Sequence, residues 1–334
     1  MVETYIITPD YEGVKFLKNY FESLLSQEYQ DFRIVIVDNS ISDLSLQFIR
    51  DNYPEELEKR RIILIKNPEN YGFARANNIG IKKAFEDPDC RFIVCLNNDT
   101  VLNIDFLGHL VQCAKNHPKA GSIQSKMLWG KNPDIIDSVG IEFSKNGLGF
   151  NRGAYEPAEK YTTEEEIFGT CAGAALYRRD ALEEVGINGE FFDSDFFAYY
   201  EDFDLAFKLR WAGWSSWYCP DAVVKHYKGG TQESRSNFTV YHKWRNYTWN
   251  LFKELPNSYI YRNFYRILAA ELSQIAINVL RGKFVIFKAK WDAYRGLSKI
   301  IDKKNKSLRK SNFEDIEKWF VNRWKEKEPE INDL

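Results

Sequence analysis

Hydrophobic positions over residues 1–115 fall into two kinds of block that alternate along the chain. Short apolar runs, typical of strands buried in a parallel sheet, cover residues 5–8, 33–37, 62–65 and 92–96. Between and after them, apolar residues spaced three and four positions apart predict helices over residues 14–25, 44–49, 74–85 and 106–115. This alternation predicts an α/β fold with a mainly parallel sheet flanked by helices.

The pattern changes further along the chain. Residues 123–177 contain glycines, asparagines and isolated strand-like runs, and predicted helices follow over residues 180–185 and 201–212. From residue 241 the chain is helical, aromatic and basic, and the run 302–306 is typical of a solvated linker between helices. We therefore expect an α/β domain over residues 1–240 and a helical C-terminal region over residues 241–334.

Polar clusters stand at the carboxyl ends of the predicted strands, where open α/β sheets bind ligands. The clusters are Thr8-Pro9-Asp10, Asp38-Asn39-Ser40, residues 67–71 and Asn97-Asn98-Asp99. Asp99 with its amide neighbours suits a hard divalent cation that keeps waters and binds substrate phosphates, although the same triplet is good turn chemistry. Asp38 is placed either to accept a hydrogen bond from a pyrimidine ring N–H or to cap the next helix.

Two segments contain residues that suggest more than a plain helix. Gly72, Asn78 and Gly80 lie in or beside a predicted helix, where Asn and Gly are unfavourable. They predict close approach by a ligand or by another stretch of backbone, with a frayed helix start as the alternative. Glu201 and Asp202 begin the helix of residues 201–212 among aromatic rings. Such rings would partly desolvate a carboxylate and raise its pKa, which suits a general base, although the helix dipole also favours acidic residues there.

Composition and charge restrict the class of protein. Hydrophobic residues make up 44% of the 334 positions and aromatic residues 16%, so the chain can bury a sizeable core. Residues 240–334 carry a charge of +9, against -11 for residues 1–239. The five cysteines are an odd number, and no pair has metal-ligand spacing, so buried thiols in a reducing compartment are expected. With no recognisable signal peptide or spanning stretch, a cytoplasmic protein is expected, either free or held peripherally at the inner membrane face.

Motifs in a fixed order over roughly residues 4–250 resemble the inverting nucleotide-sugar glycosyltransferases of family 2, particularly the rhamnosyltransferase-like branch. They are residues 34–40, residues 70–74 with Asn78 and Gly80, residues 96–100, residues 173–179, residues 197–205, and residues 220–222 with His226. The resemblance implies a GT-A fold, a nucleotide-sugar donor, and a Mg2+ or Mn2+ ion that bridges the donor diphosphate. It makes Asp99 a metal ligand, His226 a second metal or phosphate contact, Asp38 the contact to a uracil or thymine ring, and Asp202 the catalytic base.

Substrate contacts are expected from both sides of the site. The donor-side residues are Thr8, Pro9, Asp10, Asp38, Asn70, Gly72, Asn78, Asn97 and Asn98, and the acceptor-side residues are Trp129, Gly173 and Glu201. The chain departs from the family pattern at two places. The first-strand loop reads Thr8-Pro9-Asp10, and Asn97 replaces the first Asp of the Asp-x-Asp motif, so metal affinity would rest more on Asp99 and the diphosphate.

The expected activity is transfer of a sugar, rhamnose being one candidate, from a dTDP- or UDP-sugar to a glycan or lipid-linked glycan acceptor. A nucleotidyltransferase is one alternative, but residues 9–13 are acidic and do not supply a basic, glycine-rich phosphate loop. A catalytically silent sugar- or lipid-binding scaffold is another. No motif that reads nucleic acid is present. The basic and aromatic residues 241–334 predict either peripheral membrane contact or helices that pack on the catalytic domain or form a homodimer.

Overall fold

The computed structural model describes residues 2–227 and 236–325. The strands are β1 (Thr4–Asp10), β2 (Phe32–Asp38), β3 (Ile62–Lys66), β4 (Phe92–Leu96), β5 (Thr100–Leu102), β6 (Ala120–Trp129), β7 (Asn132–Ser138), β8 (Ile141–Phe143), β9 (Gly149–Asn151), β10 (Glu165–Ile167), β11 (Ala174–Arg178) and β12 (Ser215–His226). The helices are α1 (Val14–Leu25), α2 (Leu44–Asn52), α3 (Pro54–Glu58), α4 (Gly72–Phe85), α5 (Phe106–Asn116), α6 (Arg179–Val185), α7 (Glu201–Ala212), α8 (Asn237–Glu254), α9 (Asn257–Arg262), α10 (Phe264–Leu280), α11 (Val285–Arg295), α12 (Leu297–Lys306) and α13 (Phe313–Glu317). Positions 1, 228–235 and 326–334 of the two predicted regions lie outside the described residues.

The central sheet is mixed, with the strand order β3-β2-β1-β4-β11-β6-β12-β10. Strands β1 to β4 are parallel, as predicted, and their carboxyl ends lie at one edge. In the other half, β11 runs antiparallel between β4 and β6, and β6 pairs in parallel with β12. The mainly parallel arrangement is therefore confined to the first half of the sheet. The second half is built from strands distant in sequence, whose pairing a local pattern does not reveal.

Both faces of the parallel half are buried, which explains its unbroken apolar runs. Successive strand residues point to opposite faces, so Ile6 joins the hydrophobic cluster on the side of α1 and α5, whereas Ile7 joins the cluster on the side of α4 and α7. Gly80 of α4 permits close packing on β1, because a Cβ at this position would lie 2.4 Å from the Ile7 side chain. This contact is one reason for a glycine inside the helix.

The C-terminal helices share a hydrophobic core with the α/β region. Phe143 and Phe207 belong to the same buried cluster as Tyr247 and Trp249 of α8. The predicted boundary near residue 240 therefore falls where side chains on its two sides pack together. The expectation of a solvated linker at residues 302–306 is wrong, because this run is the last part of α12 and Lys303 pairs with carboxylates of the loop before α7. Within the described ranges, no helix is both long and apolar enough to cross a bilayer.

Candidate active site

A carboxylate and an imidazole meet at the end of β4. Asp99 follows this strand, and the antiparallel pairing of β12 with β5 sets His226 opposite Thr100. The Nε2 atom of His226 lies 3.1 Å from Asp99 Oδ1 and 3.4 Å from the Asn97 side-chain nitrogen. On the other side of the ring, Nδ1 lies 2.7 Å from Asp137 Oδ2. The two predicted metal contacts are therefore adjacent, and Asp137 of β7 supports the imidazole from behind.

The charge on this histidine depends on its two acidic neighbours. Burial alone would lower the pKa of His226, but the carboxylates of Asp99 and Asp137 outweigh burial and raise it to about 10. Nδ1–H is held by Asp137, so the ring presents Nε2 to Asp99, and a divalent cation is able to replace the proton there. One carboxylate oxygen and one imidazole nitrogen at this spacing fit such an ion. Sequence reasoning missed Asp137, since it lies 89 positions from His226 in a segment without a motif.

The polar ends of β1, β2 and β4 form one connected network. Asp10 is buried and accepts hydrogen bonds from the Asn98 side-chain amide, at 2.5 Å, and from the Ser40 hydroxyl, at 3.3 Å. Burial raises the pKa of Asp10, although interactions with the Ser45 and Asn98 side chains oppose the shift. Asp38 accepts from the Ser40 N–H at 2.8 Å and pairs with Lys66 Nζ at 2.9 Å. Lys66, which the sequence reasoning did not include, thus neutralises the Asp38 carboxylate, which is predicted to contact the pyrimidine ring of the donor.

Two predicted donor contacts, Asn78 and Thr8, make structural hydrogen bonds within the protein. Asn78 donates to the Phe192 carbonyl at 2.7 Å and to the Ser194 hydroxyl at 3.2 Å, and its Oδ1 accepts two backbone N–H groups at 3.0 Å. These bonds use all of its hydrogen-bonding capacity to hold the loop before α7. Thr8 is buried, and its hydroxyl bonds to the buried Tyr20 hydroxyl at 2.5 Å. A donor contact through the Thr8 side chain would require that bond to open.

Gly72 was predicted to be approached closely by a ligand or by another stretch of backbone. Its φ is +77°, and a Cβ at this position would lie 2.6 Å from the carbonyl oxygen of Phe197. The Ala74 N–H donates to the same carbonyl at 3.1 Å, and Asn70 Oδ1 accepts the Gly72 N–H at 2.9 Å. The neighbour is thus another stretch of backbone, and Asn70 caps the turn. The start of α4 is thereby fixed to the segment that leads into α7.

The segment before α7 has an unusual backbone. Phe197, Tyr199 and Tyr200 have φ angles of 66°, 68° and 71°, a region that residues other than glycine seldom adopt. Asn246 of α8 donates to three carbonyls of residues 196–199. Such conformations persist only when the surroundings hold them in place, and they occur most often at functional sites. The next residues are Glu201 and Asp202.

The two carboxylates at the start of α7 have different surroundings. Asp202 is half-buried, and its Oδ1 accepts the Phe203 N–H at 2.9 Å. Burial raises the pKa of Asp202 to about 6, although backbone hydrogen bonds partly oppose the shift. Glu201 is buried, and burial followed by the charge of Asp202 raises its pKa well above the ordinary value. Its Oε2 has no hydrogen-bond partner among the described residues. The start of α7 therefore places two carboxyl groups with raised pKa values side by side.

Residues 171–173 lie between the predicted base and the predicted cation ligands. The Ala172 N–H interacts with Asp202, and the Gly173 carbonyl accepts the Asn97 N–H at 2.9 Å. A Cβ at Gly173 would lie 3.3 Å from the Asn97 side chain, so a larger residue would crowd this position. Trp129 is the strand partner of His226 at the ends of β6 and β12. Backbone contacts of residues 171–173 thus link Asp202 to Asn97, which lies beside His226.

Residues 5–186, more than half of the chain, match the sequence profile of Glycosyl transferase family 2. The chain belongs to this family. Among its relatives is the poly-beta-1,6-N-acetyl-D-glucosamine synthase of Staphylococcus aureus (strain COL), 23% identical over 213 residues, which cover 64% of this chain and 47% of the relative. The corresponding synthase of Staphylococcus epidermidis (strain ATCC 35984) is 25% identical over 223 residues, with shares of 64% and 49%. The chain thus spans about half the length of these curated relatives.

Solved structures of glycosyltransferases share the fold of this family 2 chain. A structure of GalNAc-T7 with UDP, GalNAc and Mn2+ aligns with a TM-score of 0.62 at 15% identity, covering 93% of this chain and 58% of that one. The mannosyltransferase PcManGT from Pyrobaculum calidifontis, in complex with GDP-Man and Mn2+, aligns with a TM-score of 0.53 at 14% identity, covering 89% and 75%. The predictions of a family 2 glycosyltransferase and of a GT-A fold are confirmed. Assignment to the rhamnosyltransferase-like branch stays a prediction.

Proposed function

We propose that this protein is an inverting, metal-dependent glycosyltransferase of cell-surface polysaccharide synthesis. It would move a sugar, rhamnose being one candidate, from a UDP- or dTDP-sugar to a hydroxyl of a glycan or lipid-linked glycan. The observation that carries the proposal is the geometry around residues 171–173, with Asp99 and His226 on one side and Asp202 on the other. The relatives support it: the staphylococcal proteins are named as polysaccharide synthases, and the GalNAc-T7 structure contains UDP and Mn2+.

A divalent cation is the proposed cofactor, with Asp99 Oδ1 and His226 Nε2 as its ligands. The 3.1 Å between these atoms is close to the ~3 Å separation of adjacent ligands on an ion with bonds of about 2.1 Å. The nitrogen ligand favours Mn2+ over Mg2+, which prefers oxygen. When bound, the ion would neutralise the charge that grows on the departing nucleoside diphosphate. Asp137 keeps the imidazole turned so that Nε2 faces Asp99.

Asp202 is the proposed general base. The acceptor hydroxyl gives its proton to Asp202 while its oxygen forms a bond to the anomeric carbon, and the bond from that carbon to the diphosphate oxygen breaks. Attack from the face opposite the leaving group inverts the anomeric configuration. A pKa of about 6 leaves most of the Asp202 carboxylate ionised at pH 7 and still basic enough to take a proton. Glu201 stands beside it, and its predicted place is on the acceptor side with Trp129 and Gly173.

The donor nucleotide is proposed to lie along the ends of β1, β2 and β4. Asp38 would accept the ring N–H of uracil or thymine once Lys66, whose side chain is 32% exposed, moves off its oxygen. Asn98 and Asp10, already joined by a hydrogen bond, would contact the ribose and diphosphate together with Asn97 and the backbone at Pro9. This arrangement keeps the sugar between the cation ligands and the base.

A donor screen tests the activity. The full-length protein is incubated with a panel of UDP- and dTDP-sugars, with Mn2+ or with a chelator, and the release of nucleoside diphosphate is measured. We expect release from one or a few donors that stops on chelation. Asp99→Ala should abolish this release, whereas Asp134→Ala, an exposed carboxylate on β7, should not. If a donor binds but no nucleoside diphosphate is released and no sugar is transferred to any hydroxyl acceptor, the silent scaffold is favoured. Release of pyrophosphate from a nucleoside triphosphate would favour the nucleotidyltransferase.

The acceptor side of the proposal includes contact with the cytoplasmic face of a membrane. Large apolar side chains are exposed on helices α9 to α11, which we call the α9–α11 surface. Its members are Tyr261, Phe264, Tyr265, Leu268, Leu272, Leu280, Phe284, Phe287, Trp291 and Tyr294. Helix α10 buries only two residues, Ala270 and Asn278, although most of its positions are apolar. An apolar area of this kind usually marks an interaction site.

Charge favours an anionic lipid surface over a second copy of the chain as the partner. Residues 257–300 contain eight Lys and Arg but only two acids, Glu271 and Asp292. Both acids are paired, Glu271 with Lys290 at 2.8 Å and Asp292 with Lys288 at 2.6 Å. A self-association interface would bring these cations together, whereas anionic headgroups attract them and the aromatic rings suit the headgroup region.

Liposome flotation tests this contact with the full-length protein. We expect binding to vesicles that contain anionic lipid at low salt, with loss of binding as salt rises because surface charges are screened. The double variant Tyr265→Glu/Leu280→Glu, at positions 84% and 88% exposed, should abolish flotation without unfolding the chain. Ile104→Glu, an exposed apolar residue elsewhere, is the matched control and should float. A salt-resistant dimer that ignores anionic vesicles would assign the α9–α11 surface to oligomerisation.

A further inference from the structure

A second group of metal-ligating side chains lies away from the proposed active site. Cys113, His117 and Glu164 each offer one ligand atom, and the three atoms lie within 4.8 Å of one another. Cys113 lies in the last turn of α5, and His117 directly follows that helix. Glu164 directly precedes β10. The polypeptide therefore brings a thiol, an imidazole and a carboxylate together from two separate elements.

A second thiol adjoins this group. Cys219 lies on β12, beneath α5, and its thiol donates to the His109 carbonyl of that helix at 3.7 Å. The antiparallel pairing of β10 with β12 sets Glu165 opposite Tyr218. One position further in this register, Glu164 comes opposite Cys219. Both cysteines are buried free thiols. Because the two cysteines are remote in sequence, their spacing gave no sign that they adjoin.

The imidazole of this group is already oriented. The ring of His117 stacks on that of Trp217, with centroids 3.6 Å apart and an interplanar angle of 14°. Its Nε2 lies 2.6 Å from Glu164 Oε1. The side chain of His117 is about one fifth exposed and that of Glu164 more than one third, so an ion can enter from solvent without opening the core.

Zinc binds the thiolate form of cysteine, and the proton displaced by the ion passes to solvent.

We propose that Cys113, His117 and Glu164 form a Zn2+ site, which Cys219 adjoins. Thiolate, imidazole and carboxylate are the three ligand types that zinc accepts, and three protein ligands leave a fourth position for water. With zinc bonds of about 2.0–2.3 Å, adjacent ligand atoms stand roughly 3.3–3.7 Å apart, so the His117–Glu164 pair needs to open by less than about 1 Å. The bound ion would fasten the chain before β10 to the end of α5.

This site is separate from the proposed catalytic one. Cys219 and His226 are both on β12, seven positions apart, which corresponds to roughly 20 Å along an extended strand. The ligand sets also differ, since sulfur selects zinc-like ions whereas the Asp99–His226 pair suits Mn2+ or Mg2+. Zinc at the cluster is therefore expected to affect stability and not the transfer chemistry.

Cobalt substitution tests the proposal in the full-length chain. The protein is stripped with a chelator and titrated with Co2+, which gives a thiolate-to-metal charge-transfer absorption only when cysteine sulfur binds the ion. Zn2+ is then added to displace the cobalt, and the zinc content is measured after dialysis. We expect the absorption to appear at one ion per chain and to disappear with Zn2+. The thermal midpoint of unfolding should rise with Zn2+.

Matched variants locate the ligands. His117→Gln and Glu164→Gln alter partly exposed side chains and should lower the zinc affinity roughly 100-fold or more, at least as much as losing a supporting partner does. Cys171→Ser removes the thiol nearest the proposed catalytic site and should leave the cobalt absorption unchanged. Wild-type protein with no thiolate absorption, absorption that survives both Gln variants, or a Cys113–Cys219 disulfide that forms in place of metal binding would each overturn the proposal.

Discussion

The side-chain amide of Asn246 donates to the backbone carbonyl of Tyr199 at 2.7 Å, and the same amide also reaches the carbonyls of Phe196 and Ala198 at 2.8 and 2.9 Å. Asn246 is buried on α8, whereas Tyr199 lies in the left-handed segment just before Asp202. Each non-glycine residue in that conformation costs about 1–3 kcal/mol, so the segment needs such external contacts. A C-terminal helix thus sets the position of the proposed base.

Replacing Asn246 should therefore impair transfer more than donor binding. Asn246→Ala removes three hydrogen bonds from the segment, and a base displaced by about 1 Å is expected to lower kcat up to ~100-fold. The dissociation constant of the nucleotide should stay near the wild-type value, since the donor side is untouched. Steady-state kinetics with calorimetry for nucleotide binding separates the two effects.

Asn250→Ala is the matched control for this variant. Asn250 is buried one turn further along α8, and its side chain has no hydrogen-bond partner among the described residues. It should leave kcat nearly unchanged. Equal losses of kcat in both variants would mean that α8 acts through stability alone and does not position Asp202.

Asp202 and Glu201 should respond differently to loss of charge. Asp202→Asn keeps the shape of the side chain but removes the proton acceptor, so transfer should fall by about 10²–10⁴-fold with donor binding retained. Glu201→Gln should be mild, because burial raises the pKa of Glu201 and so favours the neutral acid, which glutamine resembles. The two rates, measured by product formation, decide which carboxylate is the base, and wild-type transfer by Asp202→Asn would exclude it.

The rate of transfer should fall on the acidic side of neutrality. The pKa of Asp202 is raised by burial to about 6, and the base works only when ionised. We expect kcat/KM to be highest above pH 7 and to decrease about tenfold per pH unit well below pH 6. The pH profile is measured with saturating Mn2+, and the residual activity of Asp202→Asn should not decrease in this way at acidic pH. A decrease that persists in the variant would be due to the titration of another group.

Asp137 should tune metal affinity without contacting the metal. It holds Nδ1 of His226 at 2.7 Å, and loss of such a supporting carboxylate costs about 10–100-fold in metal affinity. Asp137→Asn should therefore raise the Mn2+ concentration needed for half-maximal activity by that factor, with little change at saturating metal. Asp134→Asn, exposed on the same strand, serves as the control. Equal metal dependence in the two variants would remove Asp137 from this role.

A buried ion cluster joins α8 to the loop before α7 and should dominate local stability. Lys253 lies 2.6 Å from Asp193 and 2.5 Å from Asp204, and all three are buried. Lys253→Met leaves buried carboxylates with fewer partners and should lower the free energy of unfolding by about 3–5 kcal/mol, measured by urea titration. Lys299→Met, which breaks an exposed pair with Asp195, should cost less than about 1 kcal/mol.

The same cluster gives the pH dependence of that stability a definite sign. Burial would raise the pKa of Asp193, but Lys253 and Lys303 outweigh it and lower the pKa below the ordinary value of 3.8. The contribution of the Asp193 ion pairs to the free energy of unfolding is therefore present above about pH 4 and is lost as the pH falls further. Lys253→Met should unfold with a weaker dependence on acid, and an unchanged acid dependence would contradict this assignment.

Local patterns were sufficient for the parallel half of the fold. Helices α1 and α7 begin and end at the predicted residues, because their apolar spacing and flanking polar residues are local properties. The strand-end carboxylates Asp10, Asp38 and Asp99 were found for the same reason, since each directly follows or ends an apolar run. Fold and candidate site are predictable wherever adjacent residues carry the signal.

Contacts between distant segments were not predictable in this way. Asn78 was assigned to the donor because asparagine is unusual within a helix, yet its partner is a backbone carbonyl 114 positions away. Asp137 and Lys66 are ordinary charged residues in sequence and become significant only beside His226 and Asp38. The pairing of β6 with β12 also depends on packing that no short window of sequence contains.

Helix α8 links the segment before the proposed base to the α9–α11 surface. It contacts the segment before Asp202 through Asn246, and it holds α11 through Lys290, whose ammonium donates to the Trp244 carbonyl at 3.1 Å. If the α9–α11 surface rests on a bilayer as proposed, these contacts would hold the proposed base at a constant height above the lipid. Acceptor hydroxyl groups would then be selected by their distance from the membrane.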